Sequence, residues 1–541
     1  MNLRHLFNSV RVTLPVFLML ALAFAASTRA IRKIQTASAQ QKPAGARSKP
    51  PASPPRPQTN FGAEQELGKV IDQAIDESEI SAARWGVAVV SLRDGHMIYG
   101  RNSDKLFTPA SNMKIYTTAV ALDLLGAEYQ WRTSVYADGE PDAAGAIAGD
   151  LVLYGRGAPD LVSQTRNTNN NSLARLADDL YIRGVRRVSG NVIGDESYFR
   201  GEPLGDGWQW NDLQWYFGAE ASALSINGNE ADVNILPPDK TGAPPLVKVS
   251  TSDGYVSAQN SMMTVDRSER LAVGITRDLS TNAIRVWGDF PLGARGFGAR
   301  LSVHNPALWA ARLFLNTLQA RGIVIEGKTQ QRDSRQPSSK RFDPARSKEL
   351  AFVLSKPLRE IARDTNKESI NLNAELILRT LGRERHDMLS TPEAVGRERG
   401  DDEVGLTLIR LWLSRAGIPT DGLALHDGSG LSRLNLVTPE SISRLLVAVS
   451  KTAVGNAFRE SLPISGRDGT LGGRLRTLTD RVFAKTGSLT YANSLSGYLT
   501  TTTGEVLAFS VLCNDETSRR SSTQQIDRII SILAKFPSNK L

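Results

Sequence analysis

Cysteine is almost missing from this chain: Cys513 is the only one in 541 residues, so no intramolecular disulfide can brace the fold. It closes an apolar run, Val506–Cys513, that predicts a buried strand with the thiol as a small core group. An oxidising compartment is not thereby excluded, because a large core needs no disulfide. Histidine is scarce too. His5, His96, His304, His386 and His426 show neither H-E-x-x-H nor any paired spacing, which argues against a zinc hydrolase. His426 lies in the turn-like segment His426-Asp427-Gly428-Ser429-Gly430 and reads as a packed or turn histidine rather than a catalytic base. No G-x-S-x-G elbow occurs, which counts against an α/β-hydrolase. Acidic residues are absent from the first 60 positions, which hold nine Lys/Arg. The formal charge of +9 therefore belongs to that stretch, and the rest carries 56 basic and 56 acidic residues. A neutral body gives no case for a nucleic-acid partner.

The basic N-terminus contains an apolar run, Val12–Ala26, preceded by Arg4 and Arg11. Fifteen residues suit the h-region of a signal peptide and are short for a membrane span. Ala37-Ser38-Ala39 is a cleavage candidate, although Arg29, Arg32 and Lys33 intervene. Residues 1–39 thus read as a signal peptide or a retained anchor, with export expected either way. Residues 40–60 carry six prolines among Lys, Arg, Ser and Ala and predict an extended, solvated linker. It would hold a folded body away from a membrane or wall.

Length suggests roughly three domains in the remainder. Glu64–Glu79 has helical spacing, Trp85–Leu92 reads as a strand, and Asp94-Gly95 as a hairpin turn. Ser111 to Leu125 is apolar with helical periodicity, so Ser111 is expected at a helix N-terminus. At the far end, Val482–Lys485, Ser494–Thr501 and Glu505–Cys513 predict three antiparallel strands, and Gln525–Phe536 a closing amphipathic helix. Both chain ends would then share one sheet. The long middle is rich in short strand-like runs and turns. The expected class is α+β: an antiparallel sheet flanked by helices, built from 61–130 and 348–541, with a large, mostly β insertion over 131–347.

Three short motifs stand in order: Ser111-Asn112-Met113-Lys114, Ser369-Ile370-Asn371 and Lys485-Thr486-Gly487. Alone, each has an ordinary reading, as helix caps, a solvated lysine or a strand end. Together they assemble a chemistry. Positions i and i+3 share a helix face, so the Lys114 amine can reach the Ser111 hydroxyl. To act as base it must be neutral, which burial and a second cation such as Lys485 would favour. Ser369 and Asn371, two apart at a helix mouth, suit proton relay and hydrogen bonding to a peptide amide. Lys485 and Thr486 suit a substrate carboxylate, and Gly487 lets backbone approach closely.

In this order, S-x-x-K, S-x-N and K-T-G form the active-site set of penicillin-recognising serine acyl-transferases. The sequence resembles the class C low-molecular-mass penicillin-binding proteins, the D-alanyl-D-alanine carboxypeptidase/endopeptidases, over essentially all of 61–541. Phe107–Ser111, Gly207-Trp208-Gln209-Trp210-Asn211-Asp212, Asp427–Arg433, Gly466–Leu471 and Ala484–Leu489 add to it. The resemblance implies a β-lactamase/transpeptidase-like domain made of both chain ends. It implies acylation of Ser111 by a D-Ala-D-Ala stem peptide of peptidoglycan, with Lys114 as base and Ser369 as proton relay. Asn371 would bind the substrate amide, Lys485 and Thr486 the terminal carboxylate. Backbone N–H groups of Ser111 and Ser488, beside Gly487, would form the oxyanion hole. Asp195 would bind the amine end of the stem peptide. β-Lactams would inhibit, and no cofactor or metal is expected. A β-lactamase or esterase on the same fold, or a non-catalytic wall-binding relative, are the rival readings. Sequence does not choose between carboxypeptidase and endopeptidase action, and leaves the oligomeric state and any membrane tether through the N-terminus open.

Overall fold

The structure is a computed structural model that describes residues 61–541 apart from 164–170, 237–238, 252, 336, 338–341, 390–399, 518–521 and 538–541. The expected leader and proline-rich linker lie outside the described residues. Among the described residues no helix is long and apolar enough to cross a membrane.

The two chain ends meet in one antiparallel sheet of five strands, in the order Val482–Leu489, Ala492–Thr500, Val506–Asn514, Arg84–Ser91, Met97–Arg101. The joint is the pairing of Arg84–Ser91 with Val506–Asn514, from Arg84 opposite Asn514 to Ser91 opposite Leu507. These central strands are apolar on both faces. Leu507, Phe509, Val511 and Cys513 enter one core with Leu67 and Ile71 of helix Phe61–Asp76 and Ile526 and Ile530 of helix Ser522–Leu533. Ala508 and Leu512 enter the other, with Tyr116 and Val120 of helix Met113–Leu125 and Leu445 of helix Pro439–Ser450. Burial on both faces explains why Val506–Cys513, interrupted only by Ser510, reads as an apolar run rather than an alternating one. Cys513 is fully buried there, as its context predicts.

The stretch between the ends forms its own sheets. Arg132–Ala137, Leu151–Tyr154, Val192–Asp195 and Thr329–Arg332 join Lys348–Leu354 in a mixed sheet, packed with helices Ser172–Ile182 and Pro306–Ala320 around a separate apolar core. Three three-stranded sheets accompany it among the described residues. Entry and exit lie side by side: Trp131 and Ser355 exchange hydrogen bonds, and Lys348–Leu354 pairs antiparallel with Arg132–Ala137. Lys348–Leu354 therefore belongs to the sheet of the inserted stretch, whereas the sequence reading grouped it with the chain's C-terminal part. The fold is mixed α+β with antiparallel sheet and flanking helices, as expected.

Candidate active site

Ser111 sits in a single 3-10 turn, Ala110–Asn112, that runs straight into helix Met113–Leu125. The turn is tightly held. Ala110 has φ 48°, a conformation a non-glycine residue adopts only when its surroundings impose it. Gly430 presses against it, since a Cβ at 430 would fall 1.9 Å from the Ala110 carbonyl oxygen. On the other side a Cβ at Gly487 would fall 2.9 Å from both the Ser111 nitrogen and the Pro109 oxygen. Buried Asn112 donates to Ser494 Oγ (2.6 Å) and to the Lys485 carbonyl (3.2 Å), and Ser494 Oγ donates to the Pro109 carbonyl (2.8 Å). These contacts pin the Ser111 turn to the edge strand Val482–Leu489. That strand runs through the Lys485-Thr486-Gly487 motif, where the sequence reading ended it at Lys485.

Lys114, one turn on, is fully buried. Its Nζ lies 3.0 Å from Ser111 Oγ, 2.7 Å from Asn371 Oδ1 and 2.8 Å from the Ser429 carbonyl oxygen. A neutral amine has two N–H bonds and one lone pair. The two carbonyl-type oxygens can only accept, so they take both hydrogens and leave the lone pair for the Ser111 hydroxyl. Burial drives the amine toward neutrality and lowers its pKa to about 7, against the opposing pull of Asp427 and Glu375. Lys485, also fully buried, is lowered well below its usual value by burial and then by the Lys114 charge. Desolvation, more than the second cation, thus sets the Lys114 proton affinity.

Ser369 has φ 59° in the turn between helices Leu358–Lys367 and Asn371–Glu384, and its Oγ accepts from Lys485 Nζ at 2.9 Å. Asn371 spans the site. Its Oδ1 accepts from Lys114, and its Nδ2 donates to the Phe217 carbonyl at 2.9 Å. Thr486 Oγ1 donates to Thr470 Oγ1 at 2.7 Å.

Other participants lie outside the three motifs. Glu375, fully buried one turn beyond Asn371, accepts from the Gly428 and Ser429 amides at 3.0 and 2.8 Å, so it fixes the carbonyl that Lys114 uses. Burial, then Asp427, raises its pKa to about 7. Asp427 gathers the same turn, accepting from the Gly430 and Ser432 amides and from the indole of Trp208 (2.9 Å). His426 pairs with Asp206 at 2.7 Å and makes no contact with the Ser111 group.

Ser111, Ser369, Asn371 and Ser488 all line one cleft of about 840 Å³. Lys485 lies behind its wall. Asp195 does not belong to the cleft. It is fully buried at the end of strand Val192–Asp195, bonded to Ser197 and paired with Arg332 at 3.2 Å. The inserted stretch reaches the cleft instead through Gln209, Asn211, Asp212, Tyr216 and Phe217, and through Pro159, Asp160, Gly228, Glu230 and Arg300. There Asp212 lines the wall, its pKa raised by burial against the opposing pull of Arg433. The Gly207–Asp212 segment carried the clue in the sequence.

The model of the D-Ala-D-Ala carboxypeptidase 3 (S13) family matches residues 67–535. The chain belongs to that family. It is 32% identical to the D-alanyl-D-alanine carboxypeptidase of Actinomadura sp. (strain R39), over 88% of this chain and 86% of the relative. It is 28% identical to the D-alanyl-D-alanine carboxypeptidase DacB of Haemophilus influenzae, over 78% and 84%. The crystal structure of penicillin binding protein 4 (dacB) from H. influenzae superposes with a TM-score of 0.74 and 25% identity, covering 86% of this chain and 99% of that one. Membership makes the chain a serine-type D-Ala-D-Ala carboxypeptidase, a hydrolase with the penicillin-binding-protein fold. A second solved structure of the H. influenzae protein, 23% identical with a TM-score of 0.68, is a complex with a β-lactam.

Proposed function

We propose that this enzyme removes the terminal D-Ala of peptidoglycan stem peptides, and cleaves their D-Ala cross-links, through an acyl-enzyme at Ser111. The observation that carries the mechanism is the Lys114 amine, buried and held by two acceptors so that its lone pair meets Ser111 Oγ at 3.0 Å. The Ser111 proton passes to Lys114 Nζ as Oγ bonds to the penultimate D-Ala carbonyl carbon. The backbone N–H groups of Ser111 and Ser488 stabilise the oxyanion. As the C–N bond breaks, the leaving amine takes a proton relayed through Ser369, whose partner is Lys485. Water then attacks the ester with Lys114 again as base, and the freed acid leaves.

The substrate carboxylate would meet Thr486, half-buried beside Thr470, with the fully buried Lys485 set behind it, on Ser369 Oγ and the Thr486 carbonyl, rather than in direct contact. Asn371 would exchange its Phe217 partner for the substrate amide. Asp212, in place of Asp195, would take a free amine of the stem peptide. A β-lactam would acylate Ser111 in the same way, its ring amide standing in for the D-Ala-D-Ala bond.

The catalytic unit is assigned to 61–130 and 356–541 and the inserted part to 131–355, the shift following the pairing of Lys348–Leu354 with Arg132–Ala137. Export to the periplasm or cell envelope is assigned from the basic, apolar N-terminus. The test measures D-Ala release from a soluble pentapeptide, and cleavage of a cross-linked muropeptide, by the wild type, Ser111→Ala and Lys114→Ala. Loss of both activities in both variants is expected. Undiminished hydrolysis by Ser111→Ala would end the proposal.

A further inference from the structure

A second cavity, of about 730 Å³, lies in the inserted part next to the acyl-transfer cleft. The two share a wall. Glu230 lines both, Asn227 lines the second cavity, and Gly228 lines the cleft. That partition is unusual backbone. Asn227, Gly228 and Asn229 are all left-handed, with φ of 50°, 68° and 52°. Such a run persists only where side chains fix it. Here Asn229 accepts from the Ile226 amide (2.8 Å) and donates to the Glu220 carbonyl and Ser225 Oγ (2.9 Å each). Asn227 accepts from the Ser163 amide at 2.9 Å.

The chemistry of the cavity is specific. Its hydrogen-bonding groups are amides and hydroxyls, among them Asn171, Asn316, Thr251 and Thr317, together with the carboxylates Glu230, Asp232 and Asp253. Among the described residues no Lys or Arg lines it. Leu313 and Trp309 supply an apolar side. Two polar atoms in the wall have no hydrogen-bond partner among the described residues: Asp253 Oδ2, whose side chain is 4% exposed and whose nearest cation is Arg312 at 3.8 Å, and Trp309 Nε1, in a residue 3% exposed. A buried indole N–H ordinarily finds a partner.

This lining rejects anions and suits an uncharged ligand dense in hydroxyl and acetamido groups. The volume lies in the range of small-ligand sites. We infer that the second cavity binds an N-acetylated amino sugar of the glycan strand while the attached stem peptide lies in the cleft, crossing the ridge at Asn227–Glu230. The inference rests on the stem-peptide reading above. The stem peptide is covalently joined to an amino sugar, so a site one ridge away is where that sugar would arrive.

The experiment compares D-Ala release from a free pentapeptide with release from the same pentapeptide carried on its disaccharide, for the wild type and Asn316→Trp. Asn316 is exposed near the end of helix Pro306–Ala320 and has no role in acyl transfer. For the wild type the disaccharide should lower KM about tenfold, the effect of a modest added contact. Asn316→Trp should abolish that preference and leave turnover of the free pentapeptide unchanged. Calorimetry supplies a second reading: N,N′-diacetylchitobiose should bind protein already acylated by benzylpenicillin, and bind Asn316→Trp more weakly. Equal KM values for the two substrates, a preference that survives Asn316→Trp, or competition by a free tetrapeptide but not by chitobiose would overturn the sugar site. Failure to release D-Ala from either substrate would instead overturn the stem-peptide reading on which it rests.

Discussion

Acylation of Ser111 should follow the free-base fraction of Lys114, whose position burial sets and Glu375 shifts. A lysine at its usual 10.5 would be free base in only about one molecule in three thousand at pH 7. Burial lowers Lys114 to about 7, which makes about half of the population competent. The gain is roughly a thousandfold, inside the span of about 10²–10⁴ that a general base contributes. The sign follows directly: protonation removes the lone pair, so the rate rises with pH. Between pH 6 and pH 8 the competent fraction climbs from about a tenth to about nine-tenths, and the second-order acylation rate should rise about tenfold. Glu375 and Asp427 both pull the Lys114 pKa upward. Glu375→Gln keeps an acceptor for the Gly428 and Ser429 amides while removing the charge that Glu375, itself raised to about 7, carries in the upper part of this range, so the limb should move to lower pH with the maximal rate largely kept. Glu375→Ala should slow acylation at every pH by loosening the Ser429 carbonyl. Stopped-flow labelling with a fluorescent penicillin from pH 5.5 to 9 reads these rates. A flat wild-type profile, or a limb centred above pH 9, would refute the burial argument, and an unshifted limb in Glu375→Gln would refute the part given to Glu375.

Three further outcomes are expected. Asp212→Asn should raise KM for a peptide bearing a free amine, while acylation by benzylpenicillin, which has no such amine, stays within about twofold; steady-state kinetics on both substrates decides it. Asp195→Ala should leave acylation unchanged but lower stability by about 3 kcal/mol, because Arg332 loses its partner inside the fold; urea titration and penicillin labelling of one preparation separate the two effects. Gly487→Ala should abolish labelling of Ser111, since the new Cβ would fall 2.3 Å from Ser494 Oγ and 2.9 Å from the Ser111 nitrogen; a near-normal labelling rate would show that the edge strand can yield.

The sequence made the central sheet legible because its strands are extreme. Val506–Cys513 is apolar but for Ser510, as suits a strand buried on both faces. The end of strand Val482–Leu489 was hidden for the opposite reason: beyond Lys485 it runs Thr-Gly-Ser-Leu along the cleft, and the polar Thr-Gly-Ser imitates a turn. Ser111, Lys114, Ser369, Asn371 and Lys485 were legible because a fixed chemistry demands fixed spacings, and they come together in the fold. Glu375, Asn112, Ser494 and Thr470 support them through contacts 16 to 382 residues apart, which no local pattern records. Asp195 misled because a carboxylate at a strand end looks the same whether it meets a cleft or Arg332, 137 residues on.

The central claim, that Ser111 is the nucleophile activated by Lys114, is tested most directly by peptide mapping after benzylpenicillin treatment. The wild type should carry one covalent adduct, on Ser111, formed faster at pH 8 than at pH 6, and Lys114→Ala should carry almost none. An adduct on another residue, or one formed on Ser111 at an undiminished rate in Lys114→Ala, would contradict the account.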